Sequence, residues 1–129
     1  MIPEAIYTIL SGDATLVATV PAARIQPVRL GQTTANPCIL YEVQSQEPDY
    51  TKDGAASVIF TFLEVDIFST SLKEAWEIEA LVKSALDQYT GDTNGIDIDL
   101  IQWEGSDDGV YRADRDEYQL SMGFRIRQK

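Results

Sequence analysis

The longest apolar run in the chain has hydrophobic residues at odd and even positions alike: Val58, Ile59, Phe60, Phe62, Leu63, Val65, Ile67 and Phe68. A strand that is apolar on both faces belongs inside a sheet, covered at least partly on each side. Residues 57–68 therefore predict a central strand. The closing segment reads differently. Tyr118, Leu120, Met122, Phe124 and Ile126 alternate with Gln119, Ser121, Gly123, Arg125 and Arg127, the period of a strand buried on one face only. Between these two runs the period becomes helical. Ala75, Ile78, Leu81, Val82, Ala85, Leu86 and Tyr89 form one stripe, Ser71-Leu72-Lys73-Glu74 fits a capping box, and Gly91 is a natural stop.

The remaining elements are shorter. Pro3 suits the first turn of a helix over residues 3–10, and Asp13 can cap a second helical turn, 14–20, that ends before Pro21. Residues 24–30 alternate like a strand, but Pro27 restricts it to an edge. Residues 31–37 read as a loop. A strand over 38–46 places Ile39, Tyr41 and Val43 on one face, and 44–56 reads as a polar hairpin tip or long loop. Ile96, Ile98 and Leu100 alternate with Asp97 and Asp99 before Ile101 and Trp103 break the phase, which predicts a bulge or a second buried face. Residues 104–114 read as an acidic loop. The order is α-α-β-β-β-α-β-β. The expected fold is α+β, one domain over 1–129, with a mainly antiparallel sheet of four to five strands and one long helix packed on one face.

Composition narrows the chemistry. The chain carries 10 Lys and Arg against 21 Asp and Glu, a formal net charge of −11, and no His. A field of that sign opposes DNA binding, which is built from phosphate neutralisation. Without imidazole there is no His-dependent triad, no usual near-neutral general base and no common zinc set. Cys38 stands alone and follows Asn36-Pro37 at the head of an apolar strand, so it reads as a packed thiol, neither disulfide-bonded nor activated. No phosphate-cradling glycine motif can be matched, no stretch has the ~18 apolar residues of a membrane span, and the Met1-Ile2-Pro3-Glu4 start lacks signal-peptide character. A soluble protein made in a cytoplasm is expected.

Carboxylates are the remaining catalytic possibility. Asp92, Asp97 and Asp99 group in one segment, and Asp107, Asp108, Asp114, Asp116 and Glu117 in another. With Gly109 at the glycine of a calcium loop, Glu104, Ser106 and Asp108 fall at early ligand positions, but Arg115 stands where the bidentate Glu must be, so the motif fails. Asp97 and Asp99 read as the wet face of a strand. Trp76, at the edge of the helical stripe, reads as a core contact. Trp103, Tyr50 and Tyr111 lie in or near loops, where partner contact and simple packing both remain open.

Taken in order, the segments carry a resemblance. The Gly12-Asp13-Ala14 turn, Arg24-Ile25-Gln26-Pro27, Asn36-Pro37-Cys38-Ile39-Leu40-Tyr41 and the polar 44–54 tip come first. Val65-Asp66-Ile67-Phe68 then leads into a helix with Glu74-Ala75, Ala80-Leu81 and Ala85-Leu86-Asp87, and the closing strand is Tyr118 to Ile126. Together they resemble the tail-completion, or tail-terminator, family of long-tailed bacteriophages, over nearly the whole chain. The resemblance implies a structural virion protein without catalytic residues, cofactor or metal. It would form a ring, expected to be a hexamer, that caps the head-proximal end of the tail tube, ends tube polymerisation and joins tail to head. The implied partners are further copies of the chain, the tail tube protein and the head connector or stopper, with DNA passing through and not specifically bound. Ring contacts would bury on the order of 800 Å² per partner. The candidate interface residues are Asp49, Tyr50, Lys52 and Asp53 in the first polar segment and Asp107, Asp108, Tyr111 and Arg112 in the second. Alternatives are a head-completion or adaptor protein of the same junction, a non-viral soluble binding module, and an Mg²⁺-dependent hydrolase using the acidic clusters.

Overall fold

A computed structural model describes residues 2–27, 36–50, 56–107 and 109–128. The chain opens with α1 (Ile2–Ser11), whose Ile2, Ala5, Ile6 and Leu10 are buried. Asp13 caps α2 (Ala14–Thr19), accepting the Leu16 N–H at 3.0 Å. A 3₁₀ turn, Ala22–Arg24, leads into β1 (Ile25–Pro27). Two long strands follow, β2 (Cys38–Tyr50) and β3 (Ala56–Ser69), then α3 (Leu72–Leu86). The rest is β4 (Gly91–Thr93), β5 (Ile96–Ser106), β6 (Val110–Arg112) and β7 (Glu117–Gln128).

These strands form one curled, mixed sheet in the order β1-β2-β3-β7-β5-β4, with β6 also pairing to β7. β1 runs parallel to β2, and the other pairs are antiparallel. This corrects the expected α+β fold of four to five mainly antiparallel strands with one long helix. The described chain is mostly β, with seven strands and three short helices. Three physical causes account for the difference. β1 and β2 pair in parallel, with Ile25 opposite Ile39, so the two are not a hairpin. β4 and β6 pair through main-chain hydrogen bonds that leave no apolar period to read. Finally, α3 ends at Leu86 and not near Gly91, because Gln88 adopts φ 67° and turns the chain onto the edge of β5. There Gln88 N–H donates to Ile101 O (2.8 Å) and Ile101 N–H to Tyr89 O (3.0 Å).

Both expected polar loops are also largely strand. β2 reaches Tyr50 and β3 begins at Ala56, so the hairpin arms extend well into residues 44–56. In the second, β5 continues to Ser106 and β6 occupies 110–112. The phase break in β5 resolves into register shifts at Ile98/Leu100 and Trp103/Gly105. These let Ile98 and Ile101 both reach the core.

α3 is held by a relayed cap. Ser71 Oγ accepts the Glu74 N–H at 3.4 Å, but the Glu74 carboxylate does not return to Ser71. It accepts the Ser69 hydroxyl at 2.6 Å, and Ser69 Oγ accepts the Ser71 N–H at 3.1 Å. The α3 stripe, Ala75, Ile78, Val82 and Leu86, packs with α1 and α2 on one face of the sheet. Beneath it lie Ile39, Leu63, Val65, Ile67, Ile101, Leu120, Met122, Phe124 and Ile126. The alternation on β7 thereby sends Gln119, Ser121, Gly123, Arg125 and Arg127 to the opposite face, which no described helix covers.

Candidate interaction surfaces

The uncovered face is organised by carboxylates from different strands. The pairing register sets Glu42 opposite Glu64, Leu40 opposite Asp66, and Asp66 opposite Ser121. Asp66 is only 6% exposed and accepts the Ser121 hydroxyl at 2.5 Å. Burial pushes its carboxyl above the usual range; hydrogen bonds from Ser121 and Gln119 oppose the shift, and the charges of Glu42 and Asp107 add to it. Glu64 is raised by burial and then by Asp66, Glu42 and Asp107. The Gln44 amide donates to Glu42 Oε1 (2.6 Å) and Glu64 Oε2 (3.1 Å), which satisfies oxygens without supplying positive charge. Further along the same face the Arg125 guanidinium lies over the Phe60 ring, 4.0 Å from its centroid.

The sequence-derived interface candidates separate into two distant sets. Asp49 and Tyr50 sit at the end of β2, opposite Val58 and Ala56 across a register shift. Lys52, Asp53 and Asp108 lie outside the described residues. Asp107 is exposed and fastens the β5–β6 connection to β7: its backbone N–H donates to Ser121 O (3.0 Å), and its Oδ1 accepts the Gly109 N–H (3.0 Å) and the Ser121 N–H (3.1 Å). Tyr111 is 50% exposed, tilts against Tyr118 at 5.2 Å and donates its hydroxyl to Asp116 at 2.7 Å, a bond that raises its phenol pKa. Arg112 reaches Gln119 Oε1 at 3.2 Å and Asp114 at 3.8 Å. Ala56 and Asp66 mark the two sets on β3. Ten residues at about 3.3 Å each place them on the order of 30 Å apart, so the structure does not bring them together.

Other candidates are now placed. Trp76 is 51% exposed on α3, which overturns its reading as a core contact. At the edge of the stripe, a shift of one helical position points the indole outward. Trp103 is partly exposed and fixed: Lys83 Nζ stands 3.9 Å from its ring centroid, and its indole N–H donates to Ser106 Oγ at 3.0 Å. Cys38 is buried, and burial first, then Glu117, pushes its thiol up to about 11 against the opposing charges of Arg115 and Arg24. Glu117 is itself buried, taking the Asn36 amide at 3.1 Å and an ion pair with Arg115 Nε at 3.3 Å. Asp99 pairs with Arg127 at 3.2 Å. Among the described residues no group of three His, Cys, Asp or Glu side chains could hold a metal ion.

Sequence reasoning missed Glu42, Glu64, Asp66, Gly123 and Arg125 as a surface. The available signal was the pair of acids inside the most apolar run, at the even positions 64 and 66. Once β3 is placed at the sheet centre, those positions fall on the face away from the helices.

Comparison with known proteins follows this geometry. A family profile described as "Tail completion protein gp17" matches residues 4–129. Among solved structures, a chain in the virion of a native gene transfer agent particle superposes with TM-score 0.75 at 15% identity, covering 96% of this chain and 91% of that one. A second solved chain superposes with TM-score 0.70 at 12% identity, covering 99% and 93%. The search of curated proteins found no match.

Proposed function

Because this chain belongs to the tail completion protein gp17 family, and so is a structural component of the phage virion tail, we propose that it caps the head-proximal end of the tail tube as a closed ring. The reading is carried by the extent of the family match, which runs from within α1 through the end of β7. In this role the ring, a hexamer, ends tube polymerisation and presents the surface that joins the head. Its partners are neighbouring copies, the tube protein and the head connector. It acts by fitting surfaces together, without a catalytic step.

The surface chemistry supports such a role. A ring needs heterologous contacts that close, and this chain offers exposed Trp76 on α3 and Tyr111 on β6, the kinds of side chain that anchor protein contacts. The net charge of −11 suits a channel through which DNA slides, since acids lining a bore form no lasting phosphate contacts. Screening over about 8 Å limits that effect to the lining residues.

Negative-stain microscopy of the purified protein, alone and mixed with tail tubes, tests the reading. Rings, or density added at one end of each tube, are expected. A protein that stays monomeric and leaves tube ends bare refutes it. Binding to heads in place of tubes assigns the chain to the neighbouring head-completion role.

A further inference from the structure

A groove of about 390 Å³ crosses the uncovered face of the sheet, and its floor is Gly123. Gly123 faces Glu64 on β3 and Gly105 on β5. Its backbone does not require glycine. A Cβ built there would meet only the Glu104 Cβ and the Gly105 carbonyl, both at 3.9 Å, which is ordinary contact distance, and its φ is not left-handed. A glycine inside a strand weakens the strand and often marks a place where something approaches the backbone closely. Here its effect is to keep the groove open.

The walls define what fits. Glu64, Glu104 and Asp107 line the groove, Phe62 adds an aromatic ring, and among the described residues no Lys or Arg lines it. Two residues away on the same face, the Phe60 ring already carries the Arg125 guanidinium at 4.0 Å. The face thus seats one planar cation on a phenyl ring, and Phe62, opposite Arg125 in the register and two residues from Glu64, offers a second ring at the margin of the acidic groove. Planar guanidinium stacks on aromatic rings and pairs with carboxylates in a way a compact ammonium does not. Resting on the assembly reading above, we infer that this groove receives an arginine side chain presented by a neighbouring protein of the tail or head.

The test uses the full chain. Hexa-arginine amide is titrated and followed by backbone amide NMR shifts, with hexa-citrulline amide as the uncharged isostere. The arginine peptide is expected to bind, with its largest shifts at Gly123, Gly105 and Ser121, and the citrulline peptide is not. Gly123→Leu, which fills the groove, and Glu64→Gln with Glu104→Gln, which removes two charges, should each raise Kd about tenfold, the size expected for loss of a charge-assisted contact. Glu77→Gln with Glu79→Gln removes the same charge from α3 and should change Kd by no more than about twofold if long-range attraction is screened. Equal losses in both charge variants, or shifts spread evenly over helices and sheet, overturn the inference and assign binding to net charge alone. If Gly123→Leu fails to fold, the paired glutamine variants decide. Rings that form on tails while the groove ignores arginine remove this inference and leave the ring reading standing; groove binding without rings or tube-end capture does the reverse.

Discussion

Asp66 on β3 accepts the Ser121 hydroxyl on β7 at 2.5 Å, directly across the ladder that joins the two strands. The bond lies on the helix-free face, yet Asp66 is almost fully buried, close to the charges of Glu42, Glu64 and Asp107. A carboxylate placed there holds its position by hydrogen bonding while its charge is disfavoured.

That balance gives a pH dependence of definite sign. The folded-state pKa of Asp66, and of Glu64, lies above the ordinary carboxylate value. Ionisation therefore costs the folded state stability at neutral pH, and the cost is removed as pH falls through the raised folded value. Thermal unfolding followed by circular dichroism should show a midpoint that rises from pH 7 toward the carboxylate range, before general acid unfolding sets in. Asp66→Asn should raise the midpoint at pH 7 and flatten this rise. An unchanged pH profile in that variant would show that the group does not titrate as described.

The thiol of Cys38 should be inert in the native protein. With its pKa pushed up to about 11 by burial and by Glu117, only about one molecule in a thousand carries a thiolate at pH 8. An aromatic disulfide reagent should titrate one thiol at once in guanidinium chloride and react very slowly without it. Fast native reaction would place the side chain at the surface.

Capping of α3 should depend on Ser69 as much as on Ser71. Ser69→Ala leaves the Glu74 carboxylate and the Ser71 N–H without the hydroxyl that joins them. We expect a loss of about 1–2 kcal/mol, in the range for a helix cap or a buried hydrogen bond. Ser71→Ala should cost about 1 kcal/mol. Urea midpoints of the two variants make the comparison.

Truncation at the sheet centre should be more damaging. Ile67 is fully buried, pairs with Ile39 on one side and Leu120 on the other, and lies under the helices. Ile67→Ala should lose about 2–5 kcal/mol, from the missing transfer energy and the cavity left behind. Trp76→Ala, at a half-exposed position, should change stability by about 0.5 kcal/mol or less. If Trp76 instead proved the costlier site, the assignment of the helix face would be reversed.

Features carried by local periodicity were legible before any fold was known. The helical stripe from Ala75 to Leu86 and the strict alternation of β7 both name their buried residues. The two-faced pattern of β3 names Phe68 as buried, but it also includes Ile59, which is 38% exposed, and gives no sign of buried Asp66. Trp76 was misread because one position at the border of a stripe decides between core and solvent. The polar segments around 44–56 and 104–114 were misread because strand extension there is held by main-chain pairing to β3 and β7, which polar side chains do not reveal. Of the interface candidates, Asp107 proved to fasten a turn, and its distance from Asp49 and Tyr50 appears only when β3 is laid out between them.

By itself the sequence determined the positions of α3, β3 and β7, the lack of any imidazole chemistry and the acidic character of the surface. These follow from residue type and spacing within a few turns of chain. Tertiary structure decided the parallel pairing of β1 with β2, the grouping of Glu42, Glu64, Asp66 and Asp107, and the open groove over Gly123. Each of these depends on the register between strands distant in sequence. One residue of slip would send every side chain of a strand to the opposite face, and it is burial of the β3 and β7 core residues beneath α3 that selects the register observed.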